Sequence, residues 1–168
     1  FVAAPPLLSA EGRVDEAVQV VFADGGSDAI GGAQWPNDYE QMMFSRDVDY
    51  ASAACWLMRR AVFLELGGFD PAYAPAYFED PDLAFTARAR GLVSRLVVDR
   101  PVVHAHATAT EGRLALAERS RKTFQKKWAA ELLSQPTRLV NGEDGSRVRD
   151  HMCGSRTLIL IGDSVVDI

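Results

Sequence analysis

The sequence predicts an α/β fold, a mixed sheet with flanking helices, on three observations. Apolar, strand-like runs occupy residues 2–8, 51–58 and 94–103. Helical patterns at residues 59–66, 80–91 and 113–133 alternate with them, as a layered sheet-and-helix domain requires. Between the first two helical patterns, the stretch 67–90 opens with turn chemistry and charge too dense for a simple connector.

In chain order, residues 2–8 read as a short strand limited by Pro5 and Pro6, with a turn at Ser9-Ala10-Glu11-Gly12. Residues 23–46 are rich in Gly, Asp, Asn and Pro without periodicity and read as a long loop. Gly25-Gly26 and Gly31-Gly32 lack the strand, glycine-rich turn and helix context of a phosphate cradle. The run 51–58 is almost wholly apolar, as a strand covered on both faces would be. A short helix follows over 59–66, with Val62, Phe63 and Leu66 on one face and Gly67 as its left-handed C-cap. Residues 94–103 form a strand interrupted at Asp99-Arg100-Pro101 and ending in His104-Ala105-His106. A long helix over 113–133 is patterned by Leu114, Ala117, Phe124, Trp128 and Leu132. Its basic residues read as a solvated face, or as a surface for a diphosphate or an anionic membrane. Beyond Gln135-Pro136, residues 137–156 read as a polar linker and 157–168 as the first strand of a following, truncated α/β domain, or as an addition to the first sheet.

Composition sets the outer limits. At 168 residues and 48% hydrophobic content the chain can bury a core. A net charge of −5 argues against binding a nucleic-acid backbone. No apolar run approaches the ~20 residues of a membrane helix, and the first eight residues are too short and uncharged for a signal peptide. Cys55 and Cys153 give neither a disulfide framework nor zinc spacing, which fits a reducing compartment. Without an initiator methionine the chain reads as an excerpt.

The chemistry concentrates at Glu79-Asp80-Pro81-Asp82. Asp80 is placed to be a helix N-cap, with Pro81 at the first helical position. A carboxylate there is fixed in space at the positive end of a helix, two properties wanted of a general base. Glu79 and Asp82 crowd the same turn and should raise one another's pKa. The bland alternative is a simple cap flanked by surface charge.

Three segments in this order, Val48-Asp49-Tyr50-Ala51-Ser52-Ala53-Ala54-Cys55-Trp56-Leu57-Met58-Arg59-Arg60, then Phe63 to Asp70 with its Gly-Gly-Phe-Asp turn, then Tyr77-Phe78-Glu79-Asp80-Pro81-Asp82-Leu83, resemble the C-terminal, acceptor-side half of inverting glycosyltransferases of family 2. The resemblance covers roughly residues 2–133. It implies a partial GT-A fold within residues 1–136, the nucleotide-binding half lying upstream. The implied reaction moves a sugar from a nucleotide diphosphate sugar to a hydroxyl with inversion, in polysaccharide biosynthesis at a bacterial cell envelope. Asp80 would be the general base with Glu79 beside it. Asp49, Tyr50, Ala53, Ala54 and Asp82 would lie on the acceptor side, Ala53 standing where the family has glycine. Either His104 or His106 would bind the metal or diphosphate, His104 being the first choice. The cofactor would be Mg2+ or Mn2+, with its main ligands upstream. Asp47-Val48-Asp49 matches the family's metal-binding pattern in letters but not in place. The implied acceptor is a glycan or lipid-linked glycan, and the implied location is the cytoplasm, with peripheral association at the inner face of the membrane as an option. The excerpt alone is expected to be inactive. Two rivals stand beside this reading: a non-catalytic sugar- or partner-binding module, and a hydrolase. Adjacent Glu79 and Asp80 suit a hydrolase poorly, because its two carboxyls should stand ~5–9 Å apart across the scissile bond.

Overall fold

The computed structural model of the protein describes residues 1–30, 43–105 and 111–138. The expected linker and following strand over 139–168, together with His106 and Gly31-Gly32, lie outside the described residues.

The architecture is mixed α/β. A four-stranded sheet has the order β6-β8-β1-β7, built from Arg46–Val48, Ser94–Leu96, Val2–Ala4 and Leu57–Met58. Only β1 and β8 are parallel within it. A second sheet, of order β3-β2-β9, joins Val14–Glu16, Leu7–Leu8 and Val102–Val103, with β2 and β9 parallel. Pro5 and Pro6 explain why β1 and β2 are separate strands: neither offers an N–H to a ladder. The parallel neighbour breaks at the matching place, with Pro6 O still accepting from the Val102 N–H at 3.0 Å. The ladder ends where the His104 N–H donates to Leu8 O at 2.8 Å.

Residues 23–46 are not one long loop. Val18–Val21 (β4) and Ser27–Ile30 (β5) pair antiparallel as a hairpin. Its turn is closed by Asp24 accepting from the Gly26 N–H at 2.8 Å and by Gly25 at φ 69°. Turn residues dominate this stretch, and they hide two short strands. Strand β4 is buried on both sides: Val18 and Val20 join Val14, Phe22, Val48 and Leu96 in one cluster, while Val21 packs with Phe85, Phe124 and Trp128 in another.

The expected strand over 51–58 is mostly loop, and only Leu57–Met58 pairs, at a sheet edge that leaves Leu57 76% exposed. An apolar run does not by itself establish strand geometry. Here residues 51–56 turn back on themselves, tied by the Trp56 indole N–H donating to Ala51 O at 2.9 Å. Helix α1 (Arg60–Leu66) ends as the sequence predicts, on Gly67 at φ 95°, with the Gly68 N–H donating to Phe63 O.

Helix α2 (Glu79–Arg88) is the centre of the fold. Leu83 and Ala87 pack with Leu66 and the α1 face, while Ala84 and Phe85 pack with Phe124 and Trp128. The long C-terminal helix starts earlier and breaks sooner than expected: α3 (Glu111–Lys127) and α4 (Ala129–Leu132) are separated at Trp128, whose φ is −110°. Leu114 is 64% exposed, so the apolar stripe begins only at Phe124. Phe124 lies 5.1 Å from the Phe85 ring and Trp128 5.4 Å from it, each edge-on, a geometry worth ~0.5–1.5 kcal/mol per pair beyond burial. The basic residues of α3 are not simply a solvated face. Arg119 donates to Ala74 O, Arg121 to Asp24 O, and Lys127 to Asp70 and Asp82, tying the hairpin turn, the segment 70–74 and the first turn of α2 to the helix. Among the described residues no helix is long and apolar enough to cross a membrane.

Candidate active site

Asp80 is not the N-cap. The cap is Phe78, in the left-handed region at φ 68° directly after Tyr77 at φ 74°, and Glu79 is the first helical residue. Two consecutive non-glycine residues at positive φ are costly and occur where surrounding structure holds them. Here α3 holds the approach, through Ser120 Oγ donating to Ala76 O at 3.3 Å and Arg119 to Ala74 O. The kinked entry puts Asp80 in the first turn, where it still meets the positive end of the helix.

Asp80 lines an open cleft of about 720 Å³. Its Oδ2 accepts from the Ala53 N–H at 3.2 Å, so the loop that replaces the expected strand holds the carboxylate in place. Burial pushes the carboxyl up to about 7, with the Ala53 N–H and its own amide holding it back and the charges of Glu79 and Glu16 adding to the rise. Glu79 lines the same cleft, and its Oε2 is buried with no protein partner among the described residues.

Tyr50, Ala53, Ala54 and His104 line the cleft as the sequence suggests. Asp82 does not. Two residues apart on a helix, Asp80 and Asp82 point about 200° away from each other. Asp82 is therefore turned into the core, accepting from Tyr73 Oη at 3.0 Å, Trp128 Nε1 at 2.7 Å and Lys127 Nζ at 2.9 Å. Burial alone would lower the Lys127 pKa, but Asp82 and Asp70 raise it overall. Asp49 is also turned inward. Its side chain is fully buried and paired with Arg88 at 2.7 Å, and that guanidinium lies 4.1 Å above the Phe85 ring. Both carboxylates brace α2 instead of facing a ligand. Asp47 is held separately by Arg95 at 3.1 Å, so Asp47 and Asp49 each answer to their own arginine and do not converge on a cation.

A further part of the cleft lining was not legible as a site. It comes from the β3–β5 region and carries Glu16, Gln19 and Ser27 beside Tyr50. The one signal available was Gln19 itself, a lone amide within the apolar run Val18 to Val21. Burial, reinforced by the charge of Asp80, holds the Tyr50 phenol protonated well above its ordinary range.

Among the described residues no group of three or more His, Cys, Asp or Glu side chains is placed to hold a metal ion. His104 stands at the cleft without a cluster of carboxylates around it, so these residues do not by themselves fit Mg2+ or Mn2+, which prefer several oxygen ligands.

A mixed α/β framework carrying a partly buried carboxylate in an open cleft is compatible with part of a nucleotide-sugar transferase fold. Over 110 residues the chain is 34% identical to N-acetylglucosaminyl-diphospho-decaprenol L-rhamnosyltransferases of Mycobacterium tuberculosis, from strain CDC 1551 / Oshkosh and strain ATCC 25618 / H37Rv. The match covers 60% of this chain and 36% of each relative, so the chain spans about a third of the length of these curated relatives. That similarity supports a relationship to glycosyltransferases. No family model matches the chain.

Proposed function

We propose that this chain is the acceptor-side part of an inverting glycosyltransferase of family 2 with a GT-A fold, and that Asp80 is its general base. The observation that carries the reading is the Asp80 carboxyl: fixed by the Ala53 N–H at the start of α2, open to a cleft, and titrating at about 7. A base is most effective when its pKa lies near the working pH. In the proposed step the acceptor hydroxyl gives its proton to Asp80 as its oxygen attacks the anomeric carbon of the donor. The bond from that carbon to the diphosphate breaks, its electron pair leaves with the diphosphate, and the configuration inverts.

The relatives' name specifies a diphosphate-lipid-linked N-acetylglucosamine acceptor and a transferred L-rhamnose. We carry the class of acceptor, a lipid-linked sugar, to this protein, with a nucleotide diphosphate sugar as donor. Mg2+ or Mn2+ would draw on His104 together with oxygen ligands outside the described residues.

The test is incubation of the full-length protein with a diphosphate-lipid-linked N-acetylglucosamine and a panel of nucleotide diphosphate sugars, followed by assignment of the new glycosidic linkage by NMR. Inversion at the anomeric carbon is expected; retention, or release of free sugar without transfer, would sink the reading. His104→Ala is expected to weaken Mn2+-dependent nucleotide-sugar binding about tenfold or more with little change in melting temperature, since the ring stands at a strand end outside the core clusters. Equal donor affinity in a titration of the two proteins would remove His104 from the donor site.

A further inference from the structure

We propose that Gln19, held by Glu16 and Tyr50, reads a hydroxyl of the acceptor sugar and so selects which hydroxyl reaches Asp80. The inference rests on the glycosyltransferase reading above and assigns the part of the cleft lining contributed by β3 and β4.

The three residues converge from separate elements. Glu16 ends β3, Gln19 lies in β4, and Tyr50 joins Gln19 through an isolated antiparallel bridge. Gln19 Nε2 donates to Glu16 Oε2 at 2.8 Å, and Tyr50 Oη donates to Gln19 Oε1 at 3.5 Å. The Glu16 contact decides the orientation of the amide, because a carboxylate can only accept, and this turns the amide oxygen toward the Tyr50 hydroxyl. A primary amide has two N–H donors and two carbonyl lone pairs. One of each is used, so the fixed amide keeps one donor and one acceptor, and Gln19 lines the cleft. A hydroxyl, which both donates and accepts, is the complement of that pair.

Packing gives no reason for an amide at this position. Its neighbours in β4, Val18, Val20 and Val21, are fully buried, and Gln19 is 7% exposed. Each heavy atom of the amide has one partner, as buried polar atoms generally do, and each keeps one further bonding position. In a residue that lines the cleft, those remaining positions are open to a ligand hydroxyl. The same cleft carries the buried, unpartnered Glu79 Oε2 and the Asp80 carboxyl. Glu16 and Tyr50 are also electrostatically coupled to Asp80, which places the wall close to the reacting hydroxyl.

The experiment compares full-length wild type with Gln19→Met, which keeps the length of the side chain and removes the amide. The probes are diphosphate-lipid-linked N-acetylglucosamine and its monodeoxy analogues lacking a hydroxyl other than the one that attacks. Gln19→Met is expected to raise the acceptor KM about tenfold, the loss of roughly one hydrogen bond to a ligand, and to leave the donor KM unchanged. One deoxy analogue should cost the wild type a similar factor and cost Gln19→Met nothing further, because the group it would have bound is already gone. A structural role cannot give that pattern. If every analogue loses the same factor in both proteins, or if donor and acceptor KM rise together, Gln19 does not read the acceptor. If the wild type transfers to none of these acceptors, the functional reading falls and this assignment falls with it.

Discussion

Asp80→Asn should lower turnover by about 10²–10⁴-fold, the usual contribution of a positioned general base, and should stabilise the folded chain at pH 8. The two effects have one cause. The Asp80 carboxyl titrates at about 7 in the fold against 3.8 for an ordinary aspartate. Below about pH 4 both states hold the proton, and the group is neutral to stability. Between about 4 and 7 the unfolded chain releases its proton while the fold retains it, so this group erodes stability as pH rises, and the erosion is complete above 7. Asparagine still offers an oxygen to the Ala53 N–H but carries no charge to desolvate. The expected gain at pH 8 is on the order of 1–2 kcal/mol, once the part screened by solvent at the cleft mouth is discounted, and it should shrink toward zero near pH 4. Thermal melts at several pH values read the second effect, and product formation by the full-length protein reads the first. Transfer near the wild-type rate would remove Asp80 from the mechanism. A stability difference independent of pH would show that its carboxyl is not held in the raised state.

The same residue shows how far the sequence could be read. Gly67 as a C-cap and the short helix before it need only local chemistry, and both stand in the fold as expected. Singling out Glu79 and Asp80 as candidate site residues needed the motif order, and the structure places both in the lining of the cleft. The roles of Asp49 and Asp82 were beyond reach. Each lies among the motif residues, yet each is taken up by a partner far along the chain, Arg88 for Asp49 and Lys127 and Trp128 for Asp82. Spacing could have warned of the second case, since Asp80 and Asp82 cannot share a helix face. The run 51–56 misled because small apolar residues suit a partly exposed loop as well as a strand, and here a loop N–H holds Asp80. The polar wall at Gln19 arises from a hairpin whose strands are four residues each, too short for periodicity to register.

Asp82→Ala should be the most damaging single change to the fold, at about 3–5 kcal/mol, the cost of removing one partner from a buried charged pair. Its side chain is only 4% exposed. Truncation would leave the Tyr73 hydroxyl and the Trp128 indole N–H without an acceptor inside the core, and would strand Lys127 between a cavity and the more exposed Asp70. These contacts join three pieces of chain: the 3-10 turn at Pro71–Tyr73, the first turn of α2, and the junction of α3 with α4. The same pieces set the path of Tyr77 and Phe78 into the helix, so the side of α2 that faces the core fixes where the side bearing Asp80 can lie. Asp82→Asn keeps an acceptor and loses the charge, and should fall between wild type and Asp82→Ala. A urea unfolding series separates the three proteins by midpoint, with an unchanged slope confirming that the unfolded state is not altered. A cost below about 1 kcal/mol for Asp82→Ala, within the range of an ordinary surface ion pair, would mean that the three donors find other acceptors and that α2 is oriented by its apolar faces alone.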